Sequence, residues 1–296
     1  MRKTCRVKLK EARLGRIGLS KREFKANLSY LAPIAFALVA TYFFTLLVIM
    51  AQVEVVSITL FPEEAGGPLM NATIFIATMV VAGVAIYIVI RHRLWPVLSL
   101  IFRCAVALVV LTLAIFYQQL LFIVLEKDLN EVALLIYATS VVFAATAIYG
   151  IFKWRGIKQV TVTLLLGGAL GAFLGASIPT TSSLLLLTLL SLYDVIAVYW
   201  GPVGKIASEA EPERLKGISF TFKDVHMGLG DLVFYSMLAS RMLLVYGFKV
   251  WFASSMGILT GVYLGLKVLE KRRMFPGLPI ALAFGLIASF AASLVL

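Results

Sequence analysis

Long apolar segments alternate with short polar ones along this chain, and the alternation is its strongest structural signal. Each apolar segment is close to the roughly 20 residues that an α-helix needs to cross a hydrocarbon core about 30 Å thick. Nine such segments occur, at residues 29–52, 72–90, 96–118, 130–152, 160–178, 184–201, 228–247, 250–269 and 279–296. The pattern therefore predicts an all-α fold, a polytopic membrane bundle of nine transmembrane helices.

The composition supports a membrane protein and excludes an ordinary soluble domain. Hydrophobic residues make up 61% of the chain, charged residues only 14%, and the mean hydropathy is +0.98. Soluble domains are about 45 to 50% apolar. We therefore expect a multi-pass protein of the cell membrane, folded as one helical bundle in contact with the lipid bilayer.

Lysine and arginine are distributed unevenly between the two sides of the predicted bundle. Residues 1–28 hold ten of the 27 basic side chains, whereas residues 53–71, after the first helix, hold none. Because basic segments remain on the cytoplasmic side of a membrane, the N-terminus is predicted to be cytoplasmic. Nine spans then place the C-terminus outside.

The formal net charge of +12 does not indicate a nucleic-acid partner. Nucleic-acid binding needs basic residues clustered in a recognition module, and here the excess lies in the segments predicted to be cytoplasmic. The cysteines and histidines have no metal-ligand spacing. They are Cys5, Cys104, His92 and His226. We expect no cofactor, no metal and no nucleic acid.

Two acidic residues, Asp194 and Asp231, lie within consecutive apolar segments. A carboxylate in hydrocarbon costs about 2.5 to 3.5 kcal/mol on insertion scales, so an intramembrane acid indicates a functional site. Asp194 lies about seven residues, or about 10 Å, above the cytoplasmic end of the sixth predicted helix, and Asp231 lies about one turn into the seventh. If the seventh helix extends back into residues 222–227, both carboxylates reach a common depth and can face each other.

Paired carboxylates within a membrane suit hydrolytic chemistry. Two acids a few ångströms apart in a low-dielectric site cannot both ionise easily, so they share one proton. The ionised member can take a proton from water while the protonated member polarises a peptide carbonyl, with no metal required. Gly228 and Gly230, just before Asp231, favour a loosened helix start that other chains can approach closely.

Three short motifs occur in order along the last part of the chain. They are Tyr193-Asp194, Gly228-Leu229-Gly230-Asp231 and Pro276-Gly277-Leu278-Pro279. Together they resemble the signatures of the presenilin and signal peptide peptidase family of intramembrane aspartyl proteases, which carry a GxGD motif. The stretch GLGDLVFYS resembles presenilins in particular. The predicted cytoplasmic N-terminus also resembles the presenilin orientation, since signal peptide peptidases have the inverted one. The resemblance is specific over residues 184–285.

The resemblance implies a role for each motif. Asp194 and Asp231 would be the catalytic pair, Tyr193 would flank the first of them, and residues 276–279 would shape the site and admit substrate. The segment departs from the family at Gly277, where alanine is usual. Simpler roles remain open: Tyr193 as a packing aromatic, and the two prolines as the end of the eighth helix and the start of the ninth.

The chain divides into three predicted parts. A basic cytoplasmic tail occupies residues 1–28, helices 1 to 5 form a scaffold over residues 29–183, and the catalytic helices 6 to 9 occupy residues 184–296. The last part includes a cytoplasmic loop at residues 202–227. Within this loop, residues 218–222 alternate apolar and polar side chains, which predicts a strand. We expect this strand to pair with an unwound substrate segment by β-augmentation.

Other functions remain open on the sequence alone. An ion or proton transporter also places acids within the membrane, although that class is expected to have paired halves with interrupted helices, and no internal repeat is visible. Type IV prepilin peptidases share the GxGD motif but lack the other two, and a non-catalytic scaffold would not need both acids. The expected partners are transmembrane-helix substrates, while accessory subunits and a homo-oligomer are left open.

Overall fold

The computed structural model describes residues 26–199, 219–222, 225–270 and 276–295. Within these ranges nine helices are long and apolar enough to cross a membrane, so the predicted multi-pass all-α bundle is confirmed. In chain order the helices are α1 (Ala32–Ala51), α2 (Gly67–Arg91), α3 (Trp95–Val124), α4 (Leu129–Lys153), α5 (Ile157–Ser177), α6 (Thr180–Tyr199), α7 (Leu229–Tyr246), α8 (Phe248–Leu269) and α9 (Leu278–Val295). A 3-10 turn, Leu28–Leu31, leads into α1. Most of the predicted N-terminal tail and of the predicted loop lies outside the described residues.

Several helices extend beyond the ends that the apolar pattern predicts. α2 begins at Gly67 rather than at residue 72, and α3 continues to Val124 rather than to residue 118. Proline occupies the first turn of α1, α2 and α3. A backbone N–H in the first turn has no intrahelical acceptor, so the missing N–H of proline costs no hydrogen bond there. Small or polar residues at helix ends weaken the apolar signal without preventing the helix from forming.

Two apolar clusters hold the bundle together. The larger one joins mainly α1, α5, α6, α7, α8 and α9, and the smaller one joins α1, α3, α4 and α5. α7 lies at the centre, because every residue from Leu232 to Ser240 is buried. α2 and α4 expose many large apolar side chains, which suits contact with lipid. The helix that carries Asp231 is therefore held by neighbours on several sides.

Glycines on α5 let α7 approach closely. A Cβ atom placed on Gly171 would lie 2.2 Å from the Cβ of Ser236 and 2.7 Å from the carbonyl oxygen of Val233. One turn later, a Cβ atom on Gly175 would lie 2.7 Å from the Cβ of Ser240. Small residues spaced four apart on facing helices are typical of tight transmembrane packing. This contact sets the position of α7 against α5.

Gly171→Ala is expected to destabilise the bundle. The added methyl group would meet Ser236 and the α7 backbone at distances that force the two helices apart, and such overpacking costs about 1 to 3 kcal/mol. Thermal unfolding of the purified protein in detergent measures the effect. Gly83→Ala is the matched control, because a Cβ atom there meets its nearest neighbour at 3.8 Å and alanine favours a helix. A Gly171→Ala protein as stable as the parent would contradict this packing.

A short antiparallel hairpin precedes α7. Its strands are β1 (Ser219–Phe222) and β2 (Val225–Gly228), and Phe222 lies opposite Val225. The strand predicted at residues 218–222 is confirmed over its described part. Extended backbone is therefore present directly before the helix that carries Asp231.

The predicted extension of the seventh helix into residues 222–227 is wrong. The chain remains in a strand up to Gly228, and α7 begins at Leu229. Because β1 supplies hydrogen-bond partners for the backbone of β2, that backbone does not need a helix to be satisfied. Asp231 consequently lies in the first turn of α7.

Candidate active site

Asp194 lies near the C-terminal end of α6 and is half-buried. Its Oδ2 atom accepts a hydrogen bond from the backbone N–H of Leu278 at 3.2 Å. Leu278 is the first residue of α9, and N–H groups at the start of a helix have no intrahelical acceptor. The Asp194 carboxylate supplies that acceptor, so it is tied to the Pro-Gly-Leu-Pro segment.

Asp231 lies directly after the hairpin, in the first turn of α7, and is also half-buried. Gly228 has extended backbone angles (φ −73°, ψ 137°) and occupies the cap position of this helix. The dipole at a helix N-terminus favours a negative charge there. A Cβ atom on Gly228 would lie 3.8 Å from the nearest carboxylate atoms of Asp231. Glycine at this position therefore leaves space beside the carboxylate.

The Pro-Gly-Leu-Pro segment packs against both carboxylates. Leu278 binds Asp194, and a Cβ atom placed on Gly277 would lie only 2.8 Å from Oδ2 of Asp231. Carboxylates from two neighbouring spans thus meet consecutive residues of a third segment.

Tyr235 is a further polar group at this place; it lies within the stretch GLGDLVFYS but outside the three short motifs, and no role was assigned to it from the sequence. It follows Asp231 by four residues and so lies on the same face of α7. Its side chain is buried, and its hydroxyl donates a hydrogen bond to the carbonyl oxygen of Gly277 at 3.0 Å. The i, i+4 spacing from an intramembrane acid is the sequence signal that could have identified it.

Tyr193 is half-buried and faces α2. A Cβ atom placed on Gly83 of α2 would lie 3.8 Å from the Tyr193 hydroxyl. An amphipathic aromatic side chain commonly packs in this way between helices. Tyr193 therefore lies between α2 and α6, and it directly precedes Asp194 in the chain.

The other motif residues lie next to Asp231 in the chain or within the Pro-Gly-Leu-Pro segment. Leu229 packs against α5, since its Cδ1 atom would lie 3.2 Å from a Cβ atom on Gly167, whereas Gly230 is exposed. Pro276 is buried, and Pro279 lies in the first turn of α9. Proline in a first turn is typical of a helix start, so the segment both begins α9 and contacts the acids.

Arg241 lies on α7, toward the end opposite to Asp231. Its Nε and Nη2 atoms donate hydrogen bonds to Oγ1 of Thr180 at 3.0 and 2.6 Å, and Nη1 donates to the carbonyl oxygen of Gly175 at 3.2 Å. A cation within a span needs polar partners of this kind. Arg241 thus ties α7 to the corner between α5 and α6.

Glu63, in the loop between α1 and α2, caps the start of α6. Its carboxylate accepts hydrogen bonds from the backbone N–H groups of Thr181 at 3.3 Å and Ser182 at 2.8 Å. Partial burial raises the pKa of Glu63, but the hydrogen bonds from Ser182 and Thr181 outweigh it and hold the pKa below its usual value. The ionised form is therefore the one that stabilises this end of α6.

Glu63 should make the stability of the protein pH-dependent. Because its folded-state pKa is lowered, its contribution is fully present above the unfolded value, about 4.3, and is lost as pH falls through the folded value. Between about pH 6 and about pH 3, the free energy of unfolding should fall more for the parent than for Glu63→Gln. The difference should be less than about 1 kcal/mol, because the Glu63 side chain is exposed. Thermal unfolding across this range checks it, with Glu64→Gln as control. Parallel curves for parent and Glu63→Gln would contradict it.

The fold and the site define a class of protein, a polytopic membrane bundle in which two neighbouring helices bring carboxylates to one segment. The family model described as Presenilin matches residues 203–296, a range that includes Asp231 and the Pro-Gly-Leu-Pro segment and begins after Asp194. Presenilin-B of Dictyostelium discoideum is 29% identical over 237 residues, which are 72% of this chain and 49% of that protein. The chain thus spans about half the length of this curated relative.

Solved structures share the fold. One, "Structure of a presenilin family intramembrane aspartate protease in C222 space group", matches with a TM-score of 0.64 and 17% identity, over 91% of this chain and 99% of that one. A second, of the same description in the P2 space group, matches with a TM-score of 0.61 and 17% identity, over 89% and 97%. Together with the family match, they confirm the resemblance to the presenilin family that the three motifs indicate.

Proposed function

We propose that the chain is an intramembrane aspartyl endopeptidase that hydrolyses peptide bonds within transmembrane segments of other membrane proteins. The observation that carries the proposal is the meeting of Asp194 and Asp231, from neighbouring spans, at the Gly277–Leu278 peptide. The match to the presenilin family model supports the same function. Two acids kept within a membrane are costly, which favours a catalytic use for them.

The two aspartates supply both halves of acid–base catalysis. The ionised carboxylate removes a proton from water, whose oxygen attacks the carbonyl carbon, while the protonated carboxylate gives its proton to the carbonyl oxygen. From the resulting gem-diol, one carboxylate takes back a hydroxyl proton and the other protonates the nitrogen as the C–N bond breaks. The pair again shares one proton at the end of the cycle.

The substrate must offer an extended backbone to these acids. A transmembrane helix keeps its amide groups in intrahelical hydrogen bonds, so cleavage requires local unwinding. β1 and β2 lie directly before Asp231 and provide extended backbone of the kind that pairs with an unwound segment by β-augmentation. In this proposal the substrate adds to the hairpin as a further strand, and Gly228 and Gly230 leave room for its approach.

The remaining parts of the chain support this chemistry. Residues 29–183 form the scaffold, residues 184–296 carry the catalytic groups, and residues 276–279 shape the site. Tyr193, at the boundary between α2 and α6, flanks the first aspartate. The predicted cytoplasmic N-terminus suits single-span substrates whose own N-terminus lies outside.

Hydrolysis of a synthetic transmembrane peptide by the purified chain in lipid vesicles tests the proposal. We expect internal cleavage products in mass spectra. We also expect inhibition by a peptide mimic with a hydroxyl group at the scissile position, because it resembles the gem-diol. Proton flux across the vesicle membrane without any cleavage would instead favour a transporter.

Gly277→Ala, which introduces the residue usual in the family, is expected to lower activity in this chain. The new Cβ atom would lie 2.8 Å from Oδ2 of Asp231, so the carboxylate must move. Displacing a catalytic group by about 1 Å can cost about 100-fold in rate. The kcat for the transmembrane peptide measures the loss, with Gly83→Ala as the control. An unchanged kcat would mean that Asp231 keeps its orientation beside the added methyl group.

A further inference from the structure

The Gly277–Leu278 peptide group is held from two sides. Its N–H, which belongs to Leu278, donates to Oδ2 of Asp194 at 3.2 Å, and its C=O, which belongs to Gly277, accepts from the Tyr235 hydroxyl at 3.0 Å. The described residues contain no cis peptide bond, and in a trans peptide the N–H and C=O groups point in opposite directions. Asp194 and Tyr235 therefore bind one rigid plane at opposite edges.

The Tyr235 hydroxyl and the Asp231 carboxylate both lie close to Gly277. The Cβ position of Gly277 is 3.6 Å from this hydroxyl and 2.8 Å from Oδ2 of Asp231. Tyr235 is only 4% exposed, and a buried tyrosine hydroxyl requires a hydrogen-bond partner. The partner it has is the carbonyl oxygen of Gly277, in the segment that packs against both acids.

This arrangement connects the two catalytic helices through one hydrogen-bonded chain. Tyr235 and Asp231 share a face of α7. Because Tyr235 binds one edge of the peptide plane and Asp194 binds the other, the position of α7 affects the orientation of the Asp194 carboxylate on α6. Without the hydroxyl, the peptide could rotate and its N–H would no longer be directed at Asp194. The orientation of Asp194, on α6, thus depends on Tyr235, which lies on α7 together with Asp231.

We propose that Tyr235 is a positioning residue, whose hydroxyl fixes the Gly277–Leu278 peptide so that its N–H holds the Asp194 carboxylate in the orientation that catalysis needs. The inference rests on the proposed protease function. It assigns a role to a side chain that acts on the dyad through the backbone of a third segment and does not itself transfer a proton.

Tyr235→Phe tests the proposal, because it removes one oxygen and keeps the ring. We expect kcat for the transmembrane peptide to fall about tenfold, as for the loss of one hydrogen bond, while KM stays within about twofold. The affinity for the hydroxyl-containing mimic should fall by the same factor as kcat. Tyr246→Phe is the matched control, since Tyr246 lies at the far end of α7 and is 47% exposed.

A second pair of variants separates this role from general packing. Leu278→Pro removes the N–H that binds Asp194, at a first helical position where proline is tolerated, and Leu278→Ala keeps the N–H while removing the same buried side chain. If Tyr235 acts through this N–H, adding Tyr235→Phe should leave mimic affinity unchanged in the Leu278→Pro protein. The same addition should still lower the affinity about tenfold in the Leu278→Ala protein.

Three results would overturn the inference while leaving the protease function standing. They are a Tyr235→Phe protein with the parent's kcat, an equal loss of mimic affinity in both Leu278 backgrounds, and a loss of kcat accompanied by a lowered unfolding temperature. A parent that cleaves no peptide would instead overturn the proposed function itself. The two failures are therefore distinguishable in one set of assays.

Discussion

Asp194→Asn and Asp231→Asn, made singly, are each expected to abolish peptide hydrolysis, lowering kcat by about 10⁴-fold or more. Asparagine keeps the shape of the side chain but can neither take a proton from water nor give one to a carbonyl oxygen. Because the two acids act as one unit, the double variant should be no slower than either single variant. Cleavage of a transmembrane peptide in lipid vesicles, followed by mass spectrometry, measures the loss.

The bundle itself should survive these substitutions. Removing a charge from a low-dielectric site relieves its desolvation cost, so both variants should unfold at the parent's temperature or above it. Asp128→Asn is the matched control, because Asp128 caps α4 through the N–H of Asn130 and asparagine caps equally well. Hydrolysis at more than about a hundredth of the parent rate in either Asp194→Asn or Asp231→Asn would exclude the two-aspartate mechanism.

The nine helices could be predicted because crossing a membrane imposes one length and one polarity on every span. The exact ends could not, because residues such as Gly67 and Pro68 start a helix without adding apolar character. The motifs also named Asp194, Asp231, Gly277 and Leu278, which the structure brings together. Composition alone indicates the spans and the two intramembrane acids, whereas Gly277 and Leu278 were identified only through the resemblance of residues 276–279 to a family motif.

Features that depend on a partner in another segment could not be predicted. Whether the segment before Asp231 continues the helix or forms a strand depends on pairing with β1, not on its own four residues. The role of Tyr235 depends on a carbonyl group that follows it by 42 positions in the chain. Likewise, the need for glycine at position 277 becomes apparent only when the Asp231 carboxylate is seen beside it. Strand pairing decides the first of these features, and tertiary packing decides the other two.

Thr221→Pro, in β1, is the other substitution with a large expected effect, a fall of about 100-fold in cleavage of the transmembrane peptide. Thr221 lies within the paired strand, opposite His226. Proline has no N–H and is unfavourable in the interior of a paired strand, so the hairpin can no longer present regular backbone to an incoming segment. The expected factor corresponds to about 2.8 kcal/mol, at about 1.4 kcal/mol for each tenfold change.

Thr221→Val is the matched control for the strand, since valine keeps the N–H and favours extended structure. It should cleave at about the parent rate, and the unfolding temperatures of the two variants show whether proline also disturbs the packing of Phe222 and Met227 against the larger apolar cluster. A short mimic that carries only the hydroxyl-bearing unit should bind the two variants alike, because it reaches the aspartates without adding a strand. If Thr221→Pro cleaves as fast as Thr221→Val, the substrate does not join this hairpin, and unwinding must be driven by the contacts around Gly277 instead.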